Sequence, residues 1–223
     1  MATEMEPRGE PFADRRDAGR RLAERLRGLK GESPVVIALP RGGVPVAKEI
    51  ADALDAPLEI LAVRKLGAPF NPEYGIGAVA EDGTVVVDPE AVAVLRVGRQ
   101  ELDAIVAEEV AELSRRVRAY RGDRAPLDLE DRTAIVVDDG VATGLTDTAA
   151  LRAVRRRRPR RLVLAVPVCA PEALERLRAE ADEVVCLLVP RRLGGVSQFY
   201  RDFSQVTDEE VLRDLQLRAD AAA

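Results

Sequence analysis

The sequence contains no histidine and no tryptophan among its 223 residues. The absence of histidine excludes imidazole acid–base catalysis, Ser-His and Cys-His nucleophile pairs, and histidine metal ligands. A bound metal ion would therefore have to be held by oxygen atoms. Only two cysteines are present, Cys169 and Cys186, and both lie in apolar runs, where a thiol usually packs as a small hydrophobic group. We therefore expect a protein of the reducing cytoplasm.

Long hydrophobic runs and an excess of positive charge are also missing. No apolar run approaches the roughly 20 residues that cross a bilayer, and the first residues lack the apolar core of a signal peptide. The formal net charge is −5 although 33% of the residues are charged, so acids and bases are mixed along the chain. Such a surface favours neither nucleic acid nor an anionic membrane. We expect a small molecule as the partner.

Aromatic residues make up only 3% of the sequence, whereas hydrophobic residues in total make up 47%. Short apolar runs alternate with segments of helical periodicity, which predicts βαβ crossovers and a mostly parallel sheet. The predicted strands cover residues 34–39, 58–63, 133–137, 161–168 and 183–188, and the predicted helices cover 14–29, 44–54, 99–120, 146–155, 171–181 and 208–217. We expect one α/β domain over residues 1–223, with a twisted sheet flanked by helices and a core at about 34–188.

The alternation is interrupted between the second predicted strand and the helix at 99–120. Residues 67–77 are rich in glycine and proline, which predicts a mobile stretch. Two β-prone runs, 76–80 and 84–87, then flank Glu81-Asp82-Gly83. An Asp-Gly pair between two such runs predicts a β-hairpin.

The most informative segment is 135–148, IVVDDGVATGLTDT. It combines an apolar strand, two adjacent acids and a loop that leads into a helix, and ligands of parallel sheets bind at the carboxyl ends of the strands. The loop at 141–146 can aim backbone N–H groups and the helix dipole at a phosphate. Acids beside a phosphate would repel it unless Asp138 and Asp139 accept hydrogen bonds from sugar hydroxyls. The segment therefore predicts a sugar phosphate ligand.

This segment resembles the phosphoribosyl pyrophosphate (PRPP) binding motif of the type I phosphoribosyltransferases. The resemblance implies that Asp138 and Asp139 hold the ribose 2′ and 3′ hydroxyls. It also implies a loop that wraps the 5′-phosphate, formed by Ala142, Thr143, Gly144, Leu145 and Thr146.

Two further segments follow in the order expected for that family. The turn after the first strand resembles its pyrophosphate loop and consists of Pro40, Arg41, Gly42 and Gly43. Arg64 and Lys65 resemble the basic end of the second strand, which neutralises pyrophosphate during catalysis and precedes a lid, here at about 66–97 with the predicted hairpin. In this family Mg²⁺ is held mainly by PRPP and water, so no dedicated protein cage is expected, and a homodimer is implied.

The chain resembles more closely a bacterial group of stand-alone phosphoribosyltransferases whose acceptor is unassigned. The shared segments are PRGGVPVA, RKLGAPFNPEYGIGAV and YRDFSQV. Enzymes acting on 6-oxopurines carry an aspartate where Ala142 stands, which argues against hypoxanthine or guanine. Adenine enzymes share the acids and the Ala-Thr-Gly loop, but that similarity alone does not establish an adenine pocket.

The resemblance also implies a small hood over the acceptor, built from the two ends of the chain at about 1–20 and 190–223. Phe199 and Tyr200 are candidates for stacking on a planar acceptor. Phe12 and Arg15 of the first helical region are candidates to complete the hood.

Two classes of function remain open from the sequence. The first is an Mg²⁺-dependent glycosyltransferase of nucleotide metabolism, a phosphoribosyltransferase that uses a nucleobase or another aromatic acceptor. The second is a non-catalytic PRPP-binding sensor, since one fold supports several functions. No helix-turn-helix module is apparent, which favours the enzyme. The arginine-rich segment 155–161 does not indicate a nucleic-acid site, because it ends a helix, where cations complement the dipole. Gly75-Ile76-Gly77 does not indicate a dinucleotide site, because these glycines do not follow an apolar strand.

Overall fold

The structure, a computed structural model, describes residues 10–219. Its strands are β1 Pro34–Ala38, β2 Leu58–Ile60, β3 Val63–Ala68, β4 Asn71–Ala80, β5 Val85–Val87, β6 Thr133–Val137, β7 Arg161–Val168 and β8 Glu183–Leu188. Its α-helices are α1 Arg15–Leu26, α2 Gly43–Leu54, α3 Pro89–Leu95, α4 Arg99–Arg121, α5 Leu145–Arg156, α6 Pro171–Arg178 and α7 Asp208–Ala219. Short 3-10 segments cover Arg27–Glu32 and Val196–Phe199.

Five strands form a parallel sheet in the order β2-β1-β6-β7-β8. The central strands β1 and β6 are buried at every position, and Ala38 pairs with Val137 at their carboxyl ends. Alternate residues of β1 pack into different cores, Val36 on one face of the sheet and Ile37 on the other. This two-sided burial explains why the strands are continuous apolar runs, and it confirms the predicted α/β class.

The helices divide between the two faces of this sheet. Helices α1, α2 and α7 pack on one face, and α5 and α6 pack on the other. The connection from β1 through α2 leads to β2, whereas the connection from β6 through α5 leads to β7 in the opposite direction. The loops after β1 and β6 therefore diverge and leave a crevice between them, where open α/β sheets bind their ligands.

A second sheet contains three antiparallel strands in the order β3-β4-β5. The predicted hairpin is confirmed, because β4 pairs with β5 around the turn at Asp82 and Gly83. The single strand predicted at 58–63 is wrong: the chain leaves the parallel sheet after β2, and Val63 begins β3, where it pairs with Ala80. The glycine- and proline-rich stretch 67–77 lies largely within the β3–β4 ladder, with two register shifts.

The antiparallel sheet is packed on both faces. One face contacts α3 and α4 through a cluster that includes Leu66 and Leu113. The other face contacts the start of α5, where Ala78 and Val86 pack against Leu145. The segment that corresponds to the predicted lid is thereby attached to the helix that follows the two acids.

The two ends of the described chain meet at the edge of the crevice. The Phe12 N–H donates to the Phe199 carbonyl at 2.8 Å, and the Arg201 N–H donates to the Phe12 carbonyl at 2.8 Å. Phe12 and Tyr200 are buried in a shared cluster. We use the word hood for residues 10–20 and 190–219; the rest of the predicted hood, residues 1–9 and 220–223, lies outside the described residues. Between residues 10 and 219, no helix combines the length and the apolar character that a membrane span requires.

Candidate functional site

The two acids predicted to hold a sugar lie at the carboxyl end of β6 and differ in their partners. Asp138 Oδ1 accepts a hydrogen bond from the Asp139 N–H at 2.8 Å. Asp139 Oδ2 accepts from Arg15 Nε at 2.7 Å, and the Tyr200 hydroxyl donates to the Asp139 carbonyl at 2.6 Å. Two residues of the hood therefore fix Asp139, one through its side chain and one through its backbone.

The turn after β1 lies directly against these acids. An ideal Cβ built on Gly42 would stand 1.9 Å from Asp139 Oδ2, and one built on Gly43 would stand 2.6 Å from the Val137 carbonyl oxygen. The peptide bond between Pro40 and Arg41 is cis. A side chain at Gly42 would therefore collide with the Asp139 carboxylate, and one at Gly43 would collide with the backbone at the end of β6, so the two glycines let the turn pack directly against the acids.

The loop between β6 and α5 is held at one side and open at the other. Val141 is fixed by its N–H to the Val168 carbonyl at 2.8 Å and by its carbonyl to the Ala170 N–H at 3.0 Å. Ala142 and Thr143 are exposed. Within the described residues, the backbone N–H groups of 142–146 find no acceptor. These free donors at a helix N-terminus suit an anion.

Gly144 and Leu145 start α5 for different reasons. Gly144 adopts a φ of 74°, a conformation that favours glycine. Leu145 is buried against Val86, which joins the loop to the antiparallel sheet. Thr146 is partly exposed, and its hydroxyl lies 3.4 Å from Asp147 Oδ2.

Three acids share the end of β6, because Asp147 in the first turn of α5 joins the predicted pair. Burial and then the negative charges of Asp139 and Asp147 raise the pKa of Asp138 well above its usual value. Burial also raises the pKa of Asp139, while Arg15 opposes that rise. The pKa of Asp147 rises to about 7, mainly by burial, and its Oδ1 has no hydrogen-bond partner among the described residues. Asp147 was not among the predicted site residues, although its position within the PRPP-like segment was a usable signal.

Arg41 extends away from the acids. Its Nη1 lies 3.8 Å from Asp208 Oδ1 at the start of α7, and the Tyr120 hydroxyl also donates to that oxygen. The structure therefore brings the glycines of the turn to the crevice and directs the Arg41 side chain towards α7. A pyrophosphate-binding role for Arg41 stays a prediction.

Arg64 and Lys65 lie on opposite faces of β3. Arg64 pairs with Glu109, and its Nη1 lies 3.7 Å from Glu112, both on α4. Lys65 stands opposite Ala78, whose side chain packs against α5, so Lys65 shares the face that looks towards α5. The geometry separates two residues that the sequence analysis grouped, and their catalytic role stays a prediction.

The hood aromatics form a packed group. The Tyr200 ring centroid lies 5.3 Å from that of Phe12 and 4.9 Å from that of Phe203. Tyr200 is only 6% exposed, so it presents no free ring face to an acceptor, contrary to the stacking role predicted from the sequence. Phe199 is partly exposed at the margin of the same cluster, and its role stays a prediction.

Comparison with known proteins agrees with this architecture. The model of the phosphoribosyl transferase domain family matches residues 13–203. A Mycobacterium tuberculosis protein named putative phosphoribosyl transferase is 46% identical over 201 residues, which make up 90% of this chain and 45% of that protein. The chain thus spans about half the length of this relative.

Two solved structures are similar to this chain. The crystal structure of the TT1426 protein from Thermus thermophilus has a TM-score of 0.78 and 47% identity, covering 93% of this chain and 99% of that one. The structure of the AQ2163 protein from Aquifex aeolicus shares the fold, with a TM-score of 0.50 and 13% identity. The match covers 81% of this chain and 77% of the AQ2163 chain. The match over most of the chain and the arrangement around the β1–β6 crevice lead to one conclusion: this chain belongs to the phosphoribosyltransferase family, of the type I fold.

Proposed function

We propose that the protein transfers the 5-phosphoribosyl group of PRPP to a planar nitrogen acceptor, a nucleobase or another aromatic compound, with release of pyrophosphate. The observation that carries this proposal is the contact between Gly42-Gly43 and the acids Asp138 and Asp139, next to a loop with free N–H donors. In this proposal the acids would accept from the ribose hydroxyls, the turn would bind pyrophosphate and the helix N-terminus would bind the 5′-phosphate, all in one crevice.

The proposed reaction is a substitution at C1′ of the ribose. The bond from C1′ to the pyrophosphate oxygen breaks with its electron pair on pyrophosphate, a bond from C1′ to the acceptor nitrogen forms, and the acceptor gives up a proton. The cost of this step depends on neutralising the leaving group and on holding both reactants in line. Asp138 and Asp139 would orient the ribose, while Ala142, Thr143, Gly144, Leu145 and Thr146 would hold the 5′-phosphate.

Positive charge for the leaving group would come from Mg²⁺ and from basic residues. Within residues 10–219 no group of acidic or cysteine side chains is arranged to hold a metal ion. In the proposed reaction a hard cation would be carried by the oxygens of PRPP and by water, a common mode for Mg²⁺. Of the basic residues predicted for this role, Lys65 shares the α5 face of β3, whereas Arg64 is paired on α4.

The acceptor would be covered by the hood. Ala142 occupies a loop position where a carboxylate would be needed to bind the N7 side of a 6-oxopurine, so hypoxanthine and guanine are disfavoured. Phe199 is the partly exposed aromatic left at the hood margin, and Phe203 is covered on one side by the Arg15 guanidinium at 3.8 Å. We further propose that the chain works as one domain, in the cytoplasm and as a homodimer, without nucleic acid or membrane as partners.

The proposal is tested by measuring the binding of Mg²⁺-PRPP and the release of pyrophosphate. Calorimetry with Mg²⁺-PRPP should give saturable binding, and pyrophosphate should be released when the correct member of a panel of nucleobases and aromatic acids is added. The double variant Asp138→Asn, Asp139→Asn should stay folded, with a melting temperature no lower than that of the native protein, because the ionised acids are costly to bury. It should lose binding, because amides do not replace the carboxylates as acceptors for ribose hydroxyls. Unchanged affinity in that variant would refute the assignment.

A non-catalytic PRPP sensor is the alternative that this experiment separates. Tight binding without pyrophosphate release across the whole panel would favour the sensor. No binding by the native protein would exclude both.

A further inference from the structure

Arg15, the first residue of α1, is held from three sides. Its Nε donates to Asp139 Oδ2 at 2.7 Å, and its Nη1 donates to the Ser204 carbonyl at 2.8 Å. Its guanidinium lies 3.8 Å from the centroid of the Phe203 ring. The side chain is 11% exposed. Such a group is fixed in one orientation, so its contact with Asp139 is part of the folded hood.

The contact leaves the two oxygens of Asp139 in different situations. Oδ2 is occupied by Arg15 and faces Gly42, where an added Cβ would stand 1.9 Å away. Asp139 Oδ1 accepts no hydrogen bond from any other residue in the described part of the chain. The carboxylate therefore has one oxygen that is occupied and one that is free to accept a hydrogen bond.

The charge around Asp139 makes this contact important. Asp138 precedes it directly after β6, Asp147 lies near it on α5, and the Tyr200 hydroxyl donates to its backbone carbonyl. Arg41, on the turn packed against it, is directed to Asp208. Within the described chain, Arg15 is the cation that pairs with any of the three acids. An unpaired carboxylate among two others would bind a proton readily.

We infer that Arg15 is a positioning residue for Asp139: it occupies Oδ2, places a positive charge beside the carboxylate, and leaves Oδ1 as the oxygen that accepts from the ribose, a role that rests on the proposed function. Arg15 belongs to none of the segments that resemble the family's motifs. Through it the hood acts on the phosphoribosyl site as well as on the acceptor.

The experiment measures the affinity for Mg²⁺-PRPP by calorimetry from pH 6.0 to 8.5. Arg15→Gln should shift the acid side of the affinity profile upwards by about one pH unit, because an adjacent opposite charge lowers a carboxyl pKa by about that much or more. The loss relative to the native protein should therefore be larger at the acid end of the profile than at pH 8.5, and it should approach about tenfold where Asp139 is protonated in both proteins, since one pKa unit is a factor of about ten in protonation. Arg15→Lys keeps the charge and should recover part of the shift.

Arg16→Gln is the matched control. Arg16 is the next residue of α1, and it pairs with Glu49 and the buried Asp214 instead of the acids of the crevice. This variant should lower the melting temperature without moving the affinity profile. If Arg15→Gln lost affinity equally at every pH, or if Arg16→Gln shifted the profile as much, Arg15 would be a structural residue and the inference would be wrong.

A second readout keeps this inference separate from the proposed function. In protein labelled with ¹³C at aspartate carboxyls, the titration midpoint of Asp139 should rise in Arg15→Gln without any ligand. If the native protein does not bind PRPP, the proposed function fails, and the NMR titration still decides whether Arg15 keeps Asp139 ionised. An unchanged Asp139 midpoint would overturn the inference even if PRPP binds.

Discussion

Replacing Asp147 by asparagine should stabilise the protein at alkaline pH relative to acidic pH. The side chain is 1% exposed, and Oδ1 has no hydrogen-bond partner in the described structure. Burial is the main cause that raises the pKa of Asp147 from 3.8 to about 7, and the negative charge of Asp139 adds to it. An ionised carboxylate in this place costs free energy that a neutral amide does not.

The direction in which stability changes with pH follows from the proton that Asp147 binds in the folded and unfolded states. The folded state keeps its proton up to about pH 7, whereas the unfolded chain releases it near pH 4, so stability from this group is greatest at low pH and falls as the pH rises between the two values. A shift of about three units corresponds to about 4 kcal/mol. About 3 kcal/mol of this should fall between pH 5 and pH 8, since about one unit of the range lies below pH 5.

The assay is urea unfolding of native protein and Asp147→Asn at several pH values. The difference in free energy of unfolding between variant and native protein should grow by about 3 kcal/mol from pH 5 to pH 8. A constant offset from the new amide does not enter this comparison. Glu101→Gln is the control, because Glu101 holds the same third position of α4 but is exposed. If the difference for Asp147→Asn did not change with pH, the argument from burial would be refuted.

Two further predictions concern the turn after β1 and the strand β3. Gly43→Ala should lower the free energy of unfolding by about 1–3 kcal/mol in the same urea assay, because the new Cβ meets the Val137 carbonyl at 2.6 Å. Gly28→Ala is the control and should have little effect, because its new Cβ meets nothing within 4 Å. Lys65→Gln should weaken Mg²⁺-PRPP binding in calorimetry. Arg64→Gln should weaken it less and cost about 1 kcal/mol of stability, because Arg64 is paired with Glu109 on the other face of β3. Equal losses of affinity in the two variants would contradict the separation of these side chains.

Much of the central fold could be predicted because its local signals agree with its packing. The strands β1 and β6 are short apolar runs that are buried on both faces, and the segment after β6 carries its two acids and its glycines in one stretch of sequence. Signals of this kind depend on neighbouring residues alone. The hairpin of β4 and β5 was predicted for the same reason, from Asp82-Gly83 between two β-prone runs.

The antiparallel sheet was harder to predict because hydropathy does not show which sheet a strand joins. Residues 58–63 form one apolar run, yet the Leu61 N–H still donates to Ala38 of β1 while Glu81, beyond β4, already pairs with Ala62. Helix α3 was missed, although Asp88 and Pro89 are a recognisable helix start: the Asp88 side chain accepts from the N–H groups of Glu90 and Ala91.

The partners of the site residues were beyond sequence reasoning because they are distant along the chain. Arg15 and Asp139 are 124 residues apart, and Tyr200 reaches the Asp139 carbonyl across 61 residues. The sequence placed Arg15 in the hood but did not show that it pairs with Asp139, whereas its neighbour Arg16 ties α1 to α2 and α7. Arg64 and Lys65 show the same limit, because adjacent residues of a strand point to opposite faces.

The three acids at the end of β6 are a cost to the folded protein that its ligand can offset. Burial raises the pKa of Asp138, Asp139 and Asp147, which means that each is less stable in its ionised form than it would be in water. A core built for stability alone would place apolar residues there. The arrangement is understandable if ribose hydroxyls donate to Asp138 and Asp139 in the bound state, because the relief of this cost then contributes to the affinity for Mg²⁺-PRPP. The free protein should lose stability as the pH rises towards 7, where Asp147 ionises in the folded state.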